Sequence, residues 1–274
     1  MKAAYQGIPG SFGEQAMMSY FGSEADALPM DSFEGVFEAA ACGKAEFGIL
    51  PIENSSTGSI NDVLDLLVKY DCYVCGEILI RVNHGLLGVK GALIDDITEV
   101  YSHPQGFLQC SEFLKQYGGW VRIAYINTAY SAKHVSEMND RSKAAIAEKR
   151  NAEIYGLDVL NENINNSKVN FTRFIVISNK LKVTDDADKT SLAFTLKHRS
   201  GALFEAIGIF AGENINLLKI ESRPIADVNF EYMFYVDFAG NISEEQVMRA
   251  LEKMRASVEW FRLIGCYKAA SQPA

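Results

Sequence analysis

No stretch of this chain is apolar for long enough to cross a bilayer. The run Phe47-Gly48-Ile49-Leu50-Pro51-Ile52 falls far short of the ~20 residues a spanning helix needs. The opening Met1-Lys2-Ala3-Ala4-Tyr5-Gln6-Gly7 has neither the apolar centre of a secretory signal nor the Arg/Ser richness of a transit peptide. A cytoplasmic protein without membrane attachment is therefore expected. Positive charge is in deficit: 26 Lys and Arg face 35 Asp and Glu, a net charge of −9, which excludes a general binder of nucleic acid or anionic membrane. A small anion would have to be met by locally concentrated positive potential. Cysteine is scarce and odd in number, at positions 42, 72, 75, 110 and 266, the pattern of reduced thiols rather than a disulfide framework. Cys72-Tyr73-Val74-Cys75 spaces two thiols as a zinc half-site does, but no second pair and no HxxxH exists. No metal is expected, and no cofactor motif is present.

What remains is ordinary globular material, 48% hydrophobic and 22% charged, at a length that suits two or three domains. Through residue 178, short apolar runs alternate with amphipathic segments. Lys2 to Gln6 reads as a strand, Gly7 to Gly10 as a turn, and Ser11 with Glu14 as a capping box that opens a helix. Ser32 opens a second helix, and Glu46 to Ile52 is a buried strand. Ile60, Val63, Leu64 and Leu67 keep the spacing of a third helix. An extended stretch runs from Tyr73 to Gly88. Val100 to Ser102 then meets His103-Pro104-Gln105, with Pro104 at a first helical position. Val121 to Ile126 is a strand, Thr128 to Tyr155 reads as alanine-rich helix, Asn161 to Lys168 as loop and Thr172 to Ser178 as strand. The alternation predicts an α/β fold with mainly parallel sheets. The long extended stretch and the return of the chain predict two lobes with a cleft between them, a usual place for a small-ligand site.

Residues 179–189 are polar and charge-dense and read as a linker between a 1–178 unit and a 190–270 unit. In the second unit a strand (191–196), a helix (201–211), two strands (215–220 and 232–238), a helix (243–254) and a last strand (258–267) follow in the order β-α-β-β-α-β, a ferredoxin-like module. Ser243 to Gln246 reads as a second capping box.

Five motifs stand in order along the first unit: Gly10-Ser11-Phe12, Pro51-Ile52-Glu53-Asn54-Ser55, Ser102-His103-Pro104-Gln105, Gln109-Cys110 and Asn170-Phe171-Thr172-Arg173-Phe174. Together they resemble prephenate dehydratase. Gly201-Ala202-Leu203 and Glu221-Ser222-Arg223-Pro224 resemble the two phenylalanine-binding motifs of the ACT domain attached to that enzyme. Ser200 stands where the family usually has Pro, and Leu218 where Thr is more frequent. The resemblance implies a two-lobed dehydratase unit like type 2 periplasmic binding proteins. It implies conversion of prephenate to phenylpyruvate, CO2 and water without cofactor or metal, under feedback inhibition by L-phenylalanine. Because the pattern starts at residue 3, it implies the form lacking a chorismate mutase region. ACT pairing implies a homodimer or homotetramer.

Hydroxide is a poor leaving group, so a proton or a strong hydrogen bond must reach it. The resemblance assigns this to Thr172, whose weakly acidic hydroxyl suits a positioned hydrogen bond. Asn54, Glu53 and Gln109 join it as catalytic residues. Asn54 can donate and accept, while Glu53 is either an acid or an orienting group. Arg173 is expected to clamp a substrate carboxylate with two prongs. Ser11 and Ser55, near helix starts, with Ser102 and Phe174, complete the substrate contacts. His103 reads as part of a structural His-Pro turn. The effector is expected between Gly201, Ala202 and Leu203 of one subunit and Glu221, Ser222, Arg223 and Pro224 near its partner. Two other functions fit the same residues: an arogenate dehydratase, with an amino group replacing the keto group, and a non-catalytic amino-acid-binding sensor.

Overall fold

The computed structural model describes residues 1–225 and 231–271. β1 (Lys2–Gln6) passes through α1 (Phe12–Phe21) to β2 (Asp26–Met30), and α2 (Phe33–Ala41) leads to β3 (Phe47–Asn54). β1 pairs in parallel with both β2 and β3. A short β4 (Gly58–Ser59) turns back on β3, and α3 (Asn61–Lys69) leads to β5 (Tyr73–Arg81). The chain then crosses into a second lobe of β6 (Gly85–Val89), β7 (Glu99–Ser102), α4 (Pro104–Gln109), α5 (Ser111–Lys115), β8 (Val121–Ala124), α6 (Thr128–Met138), β9 (Lys143–Ala147), α7 (Arg150–Tyr155) and β10 (Leu157–Asn161). Its sheet runs in the order β10-β6-β9-β7-β8. The chain returns as β11 (Phe171–Ser178), inserted antiparallel between β3 and β5. Two crossings, at 82–84 and 162–170, thus join the lobes.

The expectation of mainly parallel sheets is corrected. Among the strands of residues 1–178, parallel pairing is confined to β2-β1-β3 and β9-β7-β8. β6, β10 and β11 lie next to the crossings, need no helical crossover, and pair antiparallel. A second correction is β9. Its alanines suggested helix, yet Ala144, Ala145, Ile146 and Ala147 are fully buried in the middle of the sheet. Small side chains let α6 pack closely there, with Ala132 and Val135 against Ala145 and Ala147.

Local chemistry sets the helix starts. Ser11 Oγ accepts from the N–H of Glu14 (3.2 Å), while Glu14 Oε2 accepts from the N–H of Gly10 (2.7 Å), one residue short of a full capping box. Pro104 occupies the first position of α4, and His103 Nδ1 accepts from the N–H of Gln105 (3.2 Å). Asn127 caps α6 through the N–H of Tyr130 (2.8 Å).

After residue 188 come β12 (Lys189–Thr195), α8 (Ala202–Gly212), β13 (Leu217–Pro224), β14 (Tyr232–Ala239), α9 (Glu245–Ser257) and β15 (Trp260–Tyr267). The expected β-α-β-β-α-β order is present, with strand order β13-β14-β12-β15. The expected capping box at Ser243 is not. Ser243 Oγ donates to Asn241 Oδ1 (2.9 Å), and Glu244 Oε1 accepts from the N–H of Asn241 (2.9 Å), so this tetrad closes a turn ahead of α9. Gly265 of β15 pairs with Val74 of β5, which fuses this sheet with that of the first lobe into ten strands, β4 included. One apolar cluster crosses the seam: Leu64, Leu67, Val74 and Ile175 pack with Ala193, Tyr235, Ile264 and Tyr267. No helix among the described residues is long and apolar enough to cross a membrane.

Candidate active site

A cavity of about 620 Å³ lies between the lobes, within the usual size of a small-molecule site. β3 and β11 form part of its wall, and the first turns of α1, α3, α4 and α6 point at it from both lobes. On β11, Thr172 and Phe174 face the cavity while Arg173 and Ile175 face away, as a period of two demands. On β3, Ile49 and Pro51 face the cavity, but the pairing with β11 then slips by one residue between Pro51 and Glu53. This bulge sends Ile52 and Glu53 to the far side and re-aims Asn54 at the cavity.

Asn54 and Thr172 are locked together. Asn54 Oδ1 accepts from the N–H of Ser56 (2.9 Å), which fixes the amide. Its Nδ2 then donates to Asn170 Oδ1 and to Thr172 Oγ1, both at 2.9 Å. With an incoming hydrogen bond on its oxygen, the Thr172 hydroxyl has its own hydrogen free to donate. Phe12, Phe33, Ile60, Val82 and Phe174 supply an apolar wall for a ring, and Ser11 and Gln109 add polar contacts.

Four expected contacts lie elsewhere. Ser55 Oγ accepts from the N–H of Phe171 (3.0 Å), outside the cavity lining. Ser102 is fully buried, and its Oγ donates to the carbonyl of Ile146 (2.9 Å), so it ties β7 to β9. Glu53 and Arg173 meet on the back of the sheet, against β12–β15. Arg173 Nη2 lies 2.8 Å from Glu53 Oε2, and its Nη1 lies 3.1 Å from Glu77 Oε2 and 3.0 Å from Asp237 Oδ2. Lys189 Nζ reaches Glu77 (2.9 Å) and Asp237 (3.6 Å), and Lys219 Nζ reaches Glu53 (3.2 Å). Burial would raise the Glu53 and Asp237 carboxyls, but these cations hold both below their ordinary values. The expected guanidinium clamp is therefore corrected: Arg173 is occupied by three carboxylates and turned away from the cleft.

Among the described residues, the cavity wall holds no Lys or Arg. What it offers an anion is helix N-termini, where free N–H groups and the helix dipole favour negative charge, beside one acidic side chain, Asp62. Asn127 and Thr128, at the start of α6, belong to this wall and were missed. Their signal was available: a capping Asn directly after a strand end, where α/β folds place ligands. His103, set aside as a turn residue, lines the cavity beside Gln105, and burial lowers its pKa. His84 also lines the cavity, and nothing in the sequence marked it.

At one end of the ten-stranded sheet, β13 is an edge strand whose side chains alternate. Glu221 and Arg223 turn toward the first lobe of the same chain: Glu221 Oε2 accepts from Ser59 Oγ (2.7 Å), and Arg223 Nη2 lies 2.7 Å from Asp65. Lys219 Nζ donates to the same Ser59 Oγ (2.7 Å). Ser222 and Pro224 face outward. Gly201 precedes α8 at φ +80°, a conformation that favours glycine, with Ala202 and Leu203 opening the helix.

Comparison with known proteins decides the family. The model of the prephenate dehydratase family matches residues 3–182. This chain belongs to that family. An ACT domain model matches residues 190–256. The arogenate dehydratase/prephenate dehydratase 1 of Arabidopsis thaliana is 37% identical over 97% of this chain and 72% of its own length. The bifunctional chorismate mutase/prephenate dehydratase of Pseudomonas aeruginosa is 35% identical over 98% of this chain and 74% of its own. The prephenate dehydratase of Arthrobacter aurescens, solved in complex with L-Phe, superposes with a TM-score of 0.91 at 29% identity, covering 100% of this chain and 92% of that one. The family's dehydratase chemistry accordingly belongs to the unit that holds the cavity.

Proposed function

We propose that this chain binds prephenate in the cleft and converts it to phenylpyruvate, with residues 1–178 as the catalytic unit and 190–270 as an ACT regulator responding to L-phenylalanine. The bond from the ring to its carboxylate carbon breaks and CO2 leaves. The electron pair completes the aromatic ring, and the ring hydroxyl departs as water with one proton drawn from the solvent, so that each turnover consumes one proton. Thr172 donates the hydrogen bond that stabilises the departing oxygen, and Asn54 holds Thr172 in line. The apolar wall takes the ring, and the N-termini of α1 and α6 hold the carboxylates. The observation that carries this reading is the Asn170–Asn54–Thr172 chain, every member oriented, ending in a free hydroxyl hydrogen at an anion-receptive cavity.

The regulator bears on the site through Lys219–Glu53, Glu221–Ser59 and Arg223–Asp65. β3 and the turn that follows it therefore touch the effector strand directly. β13, an edge strand with Leu218 and Ile220 about half exposed, is where a second copy pairs, giving a homodimer or homotetramer. Five free cysteines suit a reducing cytoplasm. Arogenate is the second reading, carried by the names of the plant relatives. Parallel steady-state kinetics with prephenate and arogenate, each with and without L-phenylalanine, test the proposal. The expected result is higher kcat/KM for prephenate and inhibition by phenylalanine; turnover of neither substrate overturns it.

A further inference from the structure

We infer that His84 is a positioning residue of the active site: its imidazole fixes the carboxamide of Gln109 so that the amide NH2 faces the substrate. This rests on the proposed reaction only for what the NH2 meets, since the pairing itself stands on geometry. His84 is 2% exposed and sits at the first crossing between the lobes. The second crossing pins its backbone: its N–H donates to Asn165 Oδ1 (2.6 Å), and its carbonyl accepts from Ile164 (3.0 Å). The same crossing holds Gln109, whose carbonyl accepts from the N–H of Asn166 (2.7 Å). Phe12 of the first lobe meets the imidazole edge-on, with ring centroids 5.8 Å apart.

Nε2 of His84 lies 3.1 Å from Gln109 Oε1. Burial holds the ring neutral, with its pKa lowered to about 4, so it carries one N–H at neutral pH. With Oε1 turned to the ring, an oxygen that only accepts, the pairing requires that N–H on Nε2, whereas the opposite amide orientation would require the Nδ1–H tautomer. The other titratable groups on the cavity wall are His103, at the start of α4, and Asp62, at the start of α3. With Oε1 engaged, the Gln109 NH2 is left for the cavity; among the described residues it donates to no protein acceptor. Prephenate offers two carboxylates and a departing hydroxyl, all acceptors. An inverted amide would set a carbonyl oxygen against them. Meanwhile Nδ1 of His84 is buried without a partner among the described residues. Packing alone would favour an apolar ring here, so an imidazole kept with one nitrogen unpaired points to the work of the other.

The test is a double-mutant cycle on the full chain: His84→Phe, Gln109→Leu, both together, and His84→Gln, whose amide donor reaches about as far as Nε2. His84→Phe and Gln109→Leu should each lower kcat/KM by about 10- to 100-fold, with the double variant no worse than Gln109→Leu. His84→Gln should recover most of the activity, and no ionisation near pH 6–7 should distinguish it from wild type. Additive losses, a fully active His84→Phe, or an apparent pKa near 6–7 that disappears in His84→Gln would each overturn the assignment. Imidazole nitrogen NMR on the wild-type chain supplies a readout independent of turnover. It should show His84 as the neutral Nε2–H tautomer at pH 7, perturbed by Gln109→Leu. An Nδ1–H tautomer or an imidazolium overturns the pairing even in a protein that turns over neither substrate; that absence of turnover would by itself bring down only the proposed reaction.

Discussion

The two faces of β3 and β11 carry opposite kinds of polar chemistry, one residue apart. Toward the cleft stand Asn54 and Thr172, neutral and oriented by neutral partners. Toward the ACT sheet stand Glu53 and Arg173, part of a cluster in which three cations (Arg173, Lys189, Lys219) meet three carboxylates (Glu53, Glu77, Asp237). The difference follows from who supplies the charge. A dianionic substrate brings its own charge and is met by dipoles held in place at no cost of reorganisation. At the seam between the units every charge must find a built-in partner, or burial penalises it.

Removing Arg173 should produce the largest effect, and it should fall on stability. Arg173→Met takes the nearer of two cations from buried Asp237 and leaves Lys189 alone to serve both Asp237 and Glu77; a loss of about 3–5 kcal/mol is expected, read as a lower urea midpoint. Arg173→Lys should lose less stability and leave KM unchanged. A raised KM in Arg173→Lys with intact stability would show that the guanidinium reaches the cleft after all.

Acid should separate the two faces. The folded pKa of His84, about 4, lies below its ordinary value of about 6.5, so the unfolded chain binds the extra proton between these limits. Its contribution is complete above about pH 6.5 and falls by up to about 1.4 kcal/mol per pH unit toward pH 4, roughly 3 kcal/mol in all. Glu53 and Asp237 are held low instead. Their contribution is complete above the ordinary carboxylate range of about 4 and is lost only as pH falls through their lowered values. Stability against pH should therefore show an upper slope that His84→Gln reduces, leaving the part that His103 contributes, and a lower one that Asp237→Asn flattens. A single slope unaffected by either variant contradicts the separation.

The smallest expected change in free energy is the most specific. Thr172→Val keeps shape and removes the donor, so kcat should fall on the order of 10²-fold, about 2.7 kcal/mol, with KM little changed. Near-normal turnover in this folded variant would move the hydrogen bond to the departing oxygen to another residue.

Much of this was legible in advance. Ser11 and Pro104 announced their helices, and the last six elements could be read in order from periodicity. Alternation along a strand already forbids Thr172 and Arg173 from sharing a face, so the guanidinium clamp could have been rejected from sequence. Asn54 was the opposite case. Strict alternation from Ile49 and Pro51 would have put Glu53 in the cleft, and only the bulge seats Asn54 there, a register slip that no local signal encodes. β9 was hidden because alanine favours helix in isolation while a tightly covered central strand needs small side chains. His84 was hidden because a lone histidine in an extended run says nothing until Gln109, 25 residues on, is folded against it.

The pairing of Gly265 with Val74 has a consequence for how such a protein can change. A Cβ at residue 265 would lie 2.1 Å from the Val74 carbonyl oxygen, so any other residue there must push β15 and β5 apart. Because Tyr235, Ile264 and Tyr267 also complete the apolar cluster around Leu64 and Val74, the regulator is a wall of the enzyme rather than cargo on a tether. A chain ending at residue 178 would bare the edge of β5 and the carboxylate of Glu77, inviting association through an unpaired strand. Deleting the regulator thus uncovers an edge strand and a buried carboxylate, whereas a side-chain change at the effector's motifs leaves both covered.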